Sequence, residues 1–485
     1  MQIPILSGIY TSENADYRQQ YPHNMIPVPL DQGITPGYLR PADGVSYFPE
    51  QTPPANQYGS SVVTTVGLGD DRGAINWRDI CYRVMADNLC IVDANGFIYP
   101  LDKDPAITVS SSGHCTMTYS FDYLAFVSGR NLYLYGGPDA AFPHNRVEQV
   151  TDTDLGDVLD VIFIDGYFMT TDGEFLVVTD LGDPFSVNNL KYGSSEIDPD
   201  PVVGLLKLNN EAYAINRYTI EAFYNKGGAL FPFARIDGSR MYRGAIGTHA
   251  KCVFMDRIAF LGSGKNESPS VWIGINAQTQ KLATREIDLI LQEYTEDQLK
   301  DVVLEVRSGE NYNHLWVRLP DKILIYDGNA STVTQTPVWF TIDSGPKNLC
   351  WAYDKWIVGN EDGEIGYFDN SISTVWEQSR DWNFQTKIIY AESRGAIINE
   401  LELVGLPGRN ALGIDPTIWT SYSLDGETWS QEWMISAGLQ GNRTKRLVWF
   451  QQGAFRNFRI QKFRGNSDSH ISFARLEAQL ERLLY

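Results

Sequence analysis

The chain has 485 residues, with 60 acidic against 39 basic side chains and a net charge of −21. Hydrophobic residues make up 43% and aromatics 12%, alongside 42 glycines and 23 prolines. The acidic balance argues against a protein that grips nucleic acid over its general surface, since such binding rests on neutralising phosphates. No stretch approaches 18 unbroken apolar residues, which excludes a membrane-spanning helix.

Residues 1–60, rich in Pro, Gly, Asn and Tyr, read as an irregular amino-terminal arm with few strand signals. Such a segment cannot make a core alone, so it is expected to order only against a neighbour. Its opening "MQIPILSGIYTSENADY" has no basic stretch ahead of the apolar one and does not read as a secretory signal. Cys81, Cys90, Cys115, Cys252 and Cys350 are odd in number and scattered, which reads as free thiols in a reducing compartment.

From residue 61 one hairpin pattern recurs: "CYRVMADNLCIVDANGFIYPL", "LAFVSGRNLYLYGG", "VIFIDGYFMTTDGEFLVVTD", "LLKLNNEAYAINRYTIEAFYNKGG", "VFMDRIAFLGSGKNESPSVWIGI", "HLWVRLPDKILIYDG" and "KWIVGNEDGEIGYFD". Their final strands centre near residues 98, 133, 177, 221, 273, 324 and 366, so the spacing runs from 35 to 52 residues. That is the period of a four-stranded propeller blade. We read residues 61–380 as an all-β propeller of six or seven blades, each hairpin forming the outer half of a blade, with ring closure able to borrow strands across the ends. A pair of β-sandwiches is the competing architecture. The Asp327-Gly328 dipeptide that ends "RLPDKILIYDG" reads as a sharp turn. One insertion, near residues 285–303, has helical spacing: Thr295 and Gln298 form a capping-box pattern that starts a helix at Glu296, and Thr284 is placed to cap the turn before it. From residue 381 to 485 long alternating stretches read as an antiparallel β-sandwich or platform domain.

Catalytic and metal-binding patterns fail on inspection. The six histidines lack paired metal spacing. "GSGKNES" at Gly262 has Ala259 where a phosphate loop needs glycine, and Asn266 where it needs Ser or Thr. "DTDLGD" at Asp152 begins like a calcium loop but has Phe163 where a bidentate Glu belongs. "SLDGETW", from Ser423, resembles the Asp-box turn of sialidases with one residue missing, and reads as a structural turn. No catalytic residue, metal or cofactor is therefore expected.

One segment departs from the overall charge. Between Asn442 and Arg464 lie Arg443, Lys445, Arg446, Arg456, Arg459, Lys462 and Arg464 with no acid, so this stretch is +7 and the rest is −21 − 7, or −28. Trp449, Phe450, Phe455, Phe458 and Phe463 are interleaved. Two readings fit: contact with nucleic acid, or a basic face docking on an acidic neighbour such as a second copy of the chain. On the second reading Arg443, Arg446, Arg456 and Arg459 are assembly-interface residues.

"ENADYRQQYPHNM", followed by "GYLRPADGV", resembles the start of the packaged-DNA stabilisation proteins of short-tailed phages, also called tail-hub or nozzle proteins. The likeness continues through "TTDGEFLVVTDLGDPFSVNNLKYGSSEIDPDPVVGL", "RYTIEAFYNKGG", "LQEYTEDQL" and "RLPDKILIYDG" to "SLDGETW". After "GYLR" the chain has Pro41-Ala42-Asp43-Gly44 where the resemblance implies a Pro-Gly turn. It implies a propeller and a platform-like β domain in each subunit of a ring, typically of six copies, assembled below the portal and adaptor ring proteins. Such a ring extends the DNA channel, helps retain packaged DNA, and carries tailspike or tail-fibre proteins and a needle or plug protein. DNA passes through without specific binding, there is no membrane insertion, and the protein belongs to the virion tail, assembled in the host cytoplasm. Matches at Asn14, Asp16, Tyr17, Tyr38 and Arg40 mark a shared arm used in assembly. The alternative is a glycan-binding or glycan-cleaving propeller, which needs clustered carboxylates and aromatics at its centre.

Overall fold

In most propeller sheets the two central strands are buried on both faces, as in Tyr123–Ser128 and Asn131–Gly136. The computed structural model describes residues 1–3, 5, 8–11, 18–19, 22–29, 37–49, 68–137, 145–195, 198–228, 230–390, 394–410, 412–466 and 469–483. Among these, seven antiparallel sheets follow one another as blades. Blade one is Asp71–Trp77, Ile80–Met85, Asn88–Val92 and Ile98–Pro100. Blades two to six follow in the same way, from Met117–Tyr119 to Trp339–Asp343, and blade five carries a divided first strand. Blade seven takes Lys347–Ala352, Lys355–Gly359 and Ile365–Asp369 from one end of the repeat and Gly44–Tyr47 from the other. The first strand of each blade touches the first strand of the next, and Lys347–Ala352 touches Asp71–Trp77, so the ring closes.

Alternation explains how one blade serves two gaps. Tyr82, Val84, Leu89 and Ile91 pack toward blade two, while Cys81, Met85, Cys90 and Val92 pack toward blade seven. A separate apolar cluster fills every gap between blades. The recurring hairpin is thus the central pair in six of the seven blades, whereas in blade one its final strand, Ile98–Pro100, is the outermost. Tyr123–Ser128 with Asn131–Gly136 is such a pair, and Val147–Gln149 forms the outermost strand beyond it. Central strands, covered on both faces, give the apolar signal; short outer strands do not.

Several first-to-second strand turns hold both residues at positive φ, as at Arg78-Asp79 (56° and 62°) and Asn209-Asn210 (51° and 61°). Two-residue hairpins need this because it matches the twist of the strands they join.

The insertion between blades five and six forms the helices Arg285–Leu291 and Glu296–Lys300. Thr295 and Gln298 make the reciprocal capping box, and Ile287, Ile290, Leu291 and Leu299 bury themselves in that gap. Thr284 stands at the first helix's N-cap without a side-chain cap bond. A third helix, Gly328–Thr334, replaces the expected sharp turn: Asp327 accepts the Ala330 amide through its carboxylate at 3.1 Å and so starts a helix.

Several short stretches of the amino-terminal segment form strands, joined by irregular residues. Gln2–Ile3 pairs with Ser472–Arg482, and Met25–Pro29 pairs with Gly37–Pro41 in the same sheet of the sandwich. That sheet also contains Ala396–Leu406 and Val448–Phe450, and faces a second sheet built from Trp382–Gln385, Phe458–Gly465, Thr417–Ser423 and Trp433–Ser436. Ile3, Ile5, Met25 and Leu39 join Phe384, Leu401, Trp449, Phe463 and Phe473 in its core.

The same segment rivets sandwich to propeller. The His23 and Asn383 amides and carbonyls bond reciprocally, at 2.9 and 3.1 Å, while the Asn24 amide donates to Thr341 O of blade six at 2.8 Å. The "PADG" stretch that departs from the expected turn buries Asp43 between Arg40 and Arg307, the latter at 2.8 Å. Against its burial, those two guanidiniums hold the Asp43 carboxyl well below the usual carboxylate range.

Candidate functional site

The first strands and the turns leading into them meet at the propeller's centre, where polar side chains join across it. His114 of blade two and His249 of blade five meet edge to face, ring centroids 4.5 Å apart, and Thr116 Oγ1 lies 3.4 Å from His249 Nδ1. Beside them the Lys251 ammonium donates to Asp160 Oδ2 of blade three at 2.7 Å, with both side chains buried. Gly204 of blade four makes this possible, because a Cβ there would stand 2.7 Å from Lys251 Nζ and 2.8 Å from Asp160 Oδ2. Arg72, also buried, spends all five guanidinium donors on Gly113 O, Ala86 O, Ser110 O, Ser112 O and Ser128 Oγ, which straps blade one to blade two.

Above this plug lies a cavity of about 490 Å³, lined in part by Asp70, Asp71, His114, Asp301, Arg318 and Lys347. Its lining contains no Phe, Tyr or Trp. Two of its acids are engaged: Asp71 with Arg83 at 2.5 Å, and Asp70 with Lys347.

Burial lowers the His249 imidazole to about 4, the Lys251 charge adding to it, and drives His114 well below its ordinary value. Between about pH 4 and 6.5 the unfolded chain therefore binds protons that the folded chain does not. The pair contributes stability above pH 6.5 that is lost as the pH falls toward 4. Replacing both histidines by asparagine is expected to flatten the fall of thermal stability across that window. An unchanged slope in melts at pH 4 to 7 contradicts this reading.

The sandwich carries the basic segment, and the structure divides it. Arg446 pairs with Glu400 at 2.8 Å and with Glu402 at 2.5 Å; Arg464 pairs with Glu432. Lys445 donates to Ser436 Oγ at 2.7 Å. Arg459 is not at the surface at all, which corrects its assignment as an interface residue. It shares strand parity with Phe463, so it points into the sandwich, where it donates to Gln461 Oε1 at 2.9 and 2.8 Å and to Gln452 O at 2.5 Å. Its guanidinium lies 3.8 Å from the centre of the Tyr422 ring, and burial lowers it to about 10. Alternation counted from Phe463 was the available signal. Arg443 and Arg456 are exposed. Arg459→Glu is accordingly expected to unfold the sandwich, at a cost of about 3–5 kcal/mol, while Arg456→Glu changes stability by less than about 0.5 kcal/mol. Denaturant melts of the two variants decide, and equal midpoints would refute the distinction.

Of the amino-terminal assembly candidates, Asn14, Asp16 and Tyr17 lie outside the described residues. Tyr38 and Arg40 lie on Gly37–Pro41, partly buried. The three motifs that mimic functional loops are structural turns. Asp425 Oδ1 accepts the Glu427 and Thr428 amides at 2.9 and 2.8 Å. Asp152 accepts the Asp154 and Val187 amides. The loop after Ser263 is closed by Glu267, which takes the Gly264 amide and pairs with Arg243.

Compared with known proteins, residues 1–373 match the family model described as bacteriophage P22 Gp10, beta-propeller, and residues 381–481 match the one described as bacteriophage P22 Gp10, beta-sandwich. The chain is 24% identical over 501 residues to the tail hub protein gp10 of Salmonella phage P22, covering 99% of each. Among solved structures it is distantly similar to PorZ of Porphyromonas gingivalis, at 11% identity and a TM-score of 0.40, over 78% of this chain and 46% of that one. The Pan2 WD40 domain of Neurospora crassa is similar at 9% identity and a TM-score of 0.39, over 62% of this chain and 88% of that one.

Proposed function

The chain belongs to the bacteriophage P22 Gp10 family, and on that premise we propose that it is a structural tail-hub subunit of a phage virion, without enzymatic activity. Copies, typically six, form a ring below the portal and adaptor proteins after DNA packaging. The ring extends the channel, helps retain the packaged genome, and carries tailspikes or fibres and a needle or plug. It is assembled in the host cytoplasm. The observation that carries this reading is the match of propeller and sandwich, in order, along 99% of both this chain and a named tail hub protein.

The DNA path runs between subunits. The propeller's own axis is occupied by the His114–His249 contact and the Lys251–Asp160 pair, which leave no passage for a duplex. A basic channel would hold phosphates, each neutralised one adding salt-dependent affinity. An acidic wall repels the duplex and keeps it centred, though only within a screening length of roughly 8 Å. We therefore place net negative charge on the wall facing the ring axis, supported by the −28 outside the basic segment. Subunit and partner contacts fall to the exposed Arg443 and Arg456, and to the amino-terminal residues Asn14, Asp16, Tyr17, Tyr38 and Arg40.

Sizing the purified protein with and without portal rings tests this function. Association into a ring that binds portal complexes is expected. A monomer that ignores them, or one that retains a polysaccharide column, would sink the hub reading.

A further inference from the structure

The turns from first to second strand, one in each blade, leave the propeller on a single face. First strands of adjacent blades pack side by side and every blade is antiparallel, so these turns emerge together. Bonds from turn to turn tie the face. Asn76 of blade one donates to Trp351 O of blade seven at 2.7 Å, and Arg78 of blade one donates to Phe121 O of blade two at 2.7 Å. The Trp356 indole donates to Ser308 O of blade six at 3.0 Å, and Asn210 of blade four donates to Asp165 of blade three at 2.9 Å.

Two features mark this face. Large apolar side chains stand open on it: Phe121 is 77% exposed, Trp351 49%, Met255 47% and Tyr119 45%. Trp351 packs on Trp356 with ring centroids 5.6 Å apart, and the Arg78 guanidinium lies 5.0 Å from the Phe121 ring centre, so a strip runs over blades seven, one and two. Exposed aromatics with arginine are the residue types that anchor protein interfaces. The second feature is charge. Asp79, Asp122, Asp165, Asp256, Glu310 and Asp354 each sit in one of these turns, and only the Asn209-Asn210 turn lacks an acid.

Acidity by itself fits any basic protein, and symmetry narrows the choice. A closed ring of more than two copies repeats a contact between two different patches of one chain, so every copy carries both halves. The complementary half is on the sandwich. Arg443 and Arg456 are exposed there and make no ion pair among the described residues. Met434 and Phe450 of the same domain are 71% and 63% exposed. Resting on the hub reading, we infer that the turn face of each propeller receives the sandwich of a second copy, with Arg443 and Arg456 against the acidic turns and the apolar side chains of both domains between them. The charges steer the approach, and the aromatic strip supplies the contact once water leaves it.

The test places a photo-cross-linker, p-benzoylphenylalanine, at the exposed Phe121 position of the full chain, irradiated alone and with purified portal rings. An adduct of two chains is expected, mapping by mass spectrometry to residues 443–456 of the second copy. A second arm reverses charge. Asp79→Lys with Asp122→Lys is expected to weaken association by roughly tenfold or more, and adding Arg443→Glu with Arg456→Glu to the same chain should restore part of it. An adduct confined to one chain, to another propeller or to the portal protein would overturn the docking. So would acidic-turn variants that assemble like the wild type, or a combined variant no better than they are. Rings that form and bind portal complexes without the 443–456 adduct refute this contact and leave the hub reading standing; a chain that never associates refutes both.

Discussion

Removing residues 1–9 is expected to destabilise both domains, by about 5–9 kcal/mol in total. Ile3 and Ile5 are buried in the sandwich core, and Ile9 is buried in the cluster between blades five and six. Each buried isoleucine is worth roughly 1.5–3 kcal/mol. The backbone loses partners as well: the amino terminus donates to Ala478 O at 2.8 Å, and the Ile9 amide donates to Trp339 O at 2.9 Å. A segment that ordered only against a neighbouring molecule would leave the isolated protein's melting unchanged on deletion. Calorimetry of the shortened chain separates the two views. Lowered transitions support integration into the fold, and a melting profile within about a degree of the full chain would refute it.

Arg83→Met is expected to cost about 3–5 kcal/mol, because it strands a charge rather than removing a pair. Both Arg83 and Asp71 are fully buried, 2.5 Å apart, and Asn348 bridges them to blade seven by donating to Asp71 O at 2.7 Å. With the guanidinium gone, the buried Asp71 carboxylate keeps Asn348 but loses its closest countercharge, leaving only the weaker pull of Lys347. Adding Asp71→Asn should restore part of the loss, since a neutral amide needs no countercharge. Urea melts of the single and double variants measure this. A single variant as stable as the wild type, or a double variant no better than the single, would contradict the role given to the pair.

What the sequence made legible follows burial. The central strands of each blade, such as Leu124–Ser128 with Leu132–Tyr135, are covered on both faces and announce themselves as apolar runs at blade spacing. Most outer strands are short, so in six blades the recurring hairpin lies one strand further in than expected. The helix Gly328–Thr334 was hidden because Ser331, Thr332 and Thr334 are weak helix formers, held here by side-chain bonds to carbonyls four residues back. Gly44–Tyr47 carried no local pairing signal, because its partner, Ile365–Asp369, lies hundreds of residues away. The basic segment was visible as charge, yet charge alone does not say which arginines are already paired or turned inward; Glu400, Glu402 and Glu432, distant in sequence, pair with Arg446 and Arg464, two of its seven cations. The axial histidines carried no signal, since His114 and His249 meet only when blades two and five face each other.

The proposed ring has its bore between subunits and repels DNA. Cryo-electron microscopy of the assembled ring, alone or on portal complexes, tests this most directly. We predict several copies around a duplex-wide bore, a net negative wall facing its axis, each propeller axis lying outside that bore and closed at His114 and His249, and Arg443 and Arg456 at contacts between chains. A bore lined by net positive charge, or one that runs through the propeller, would contradict it.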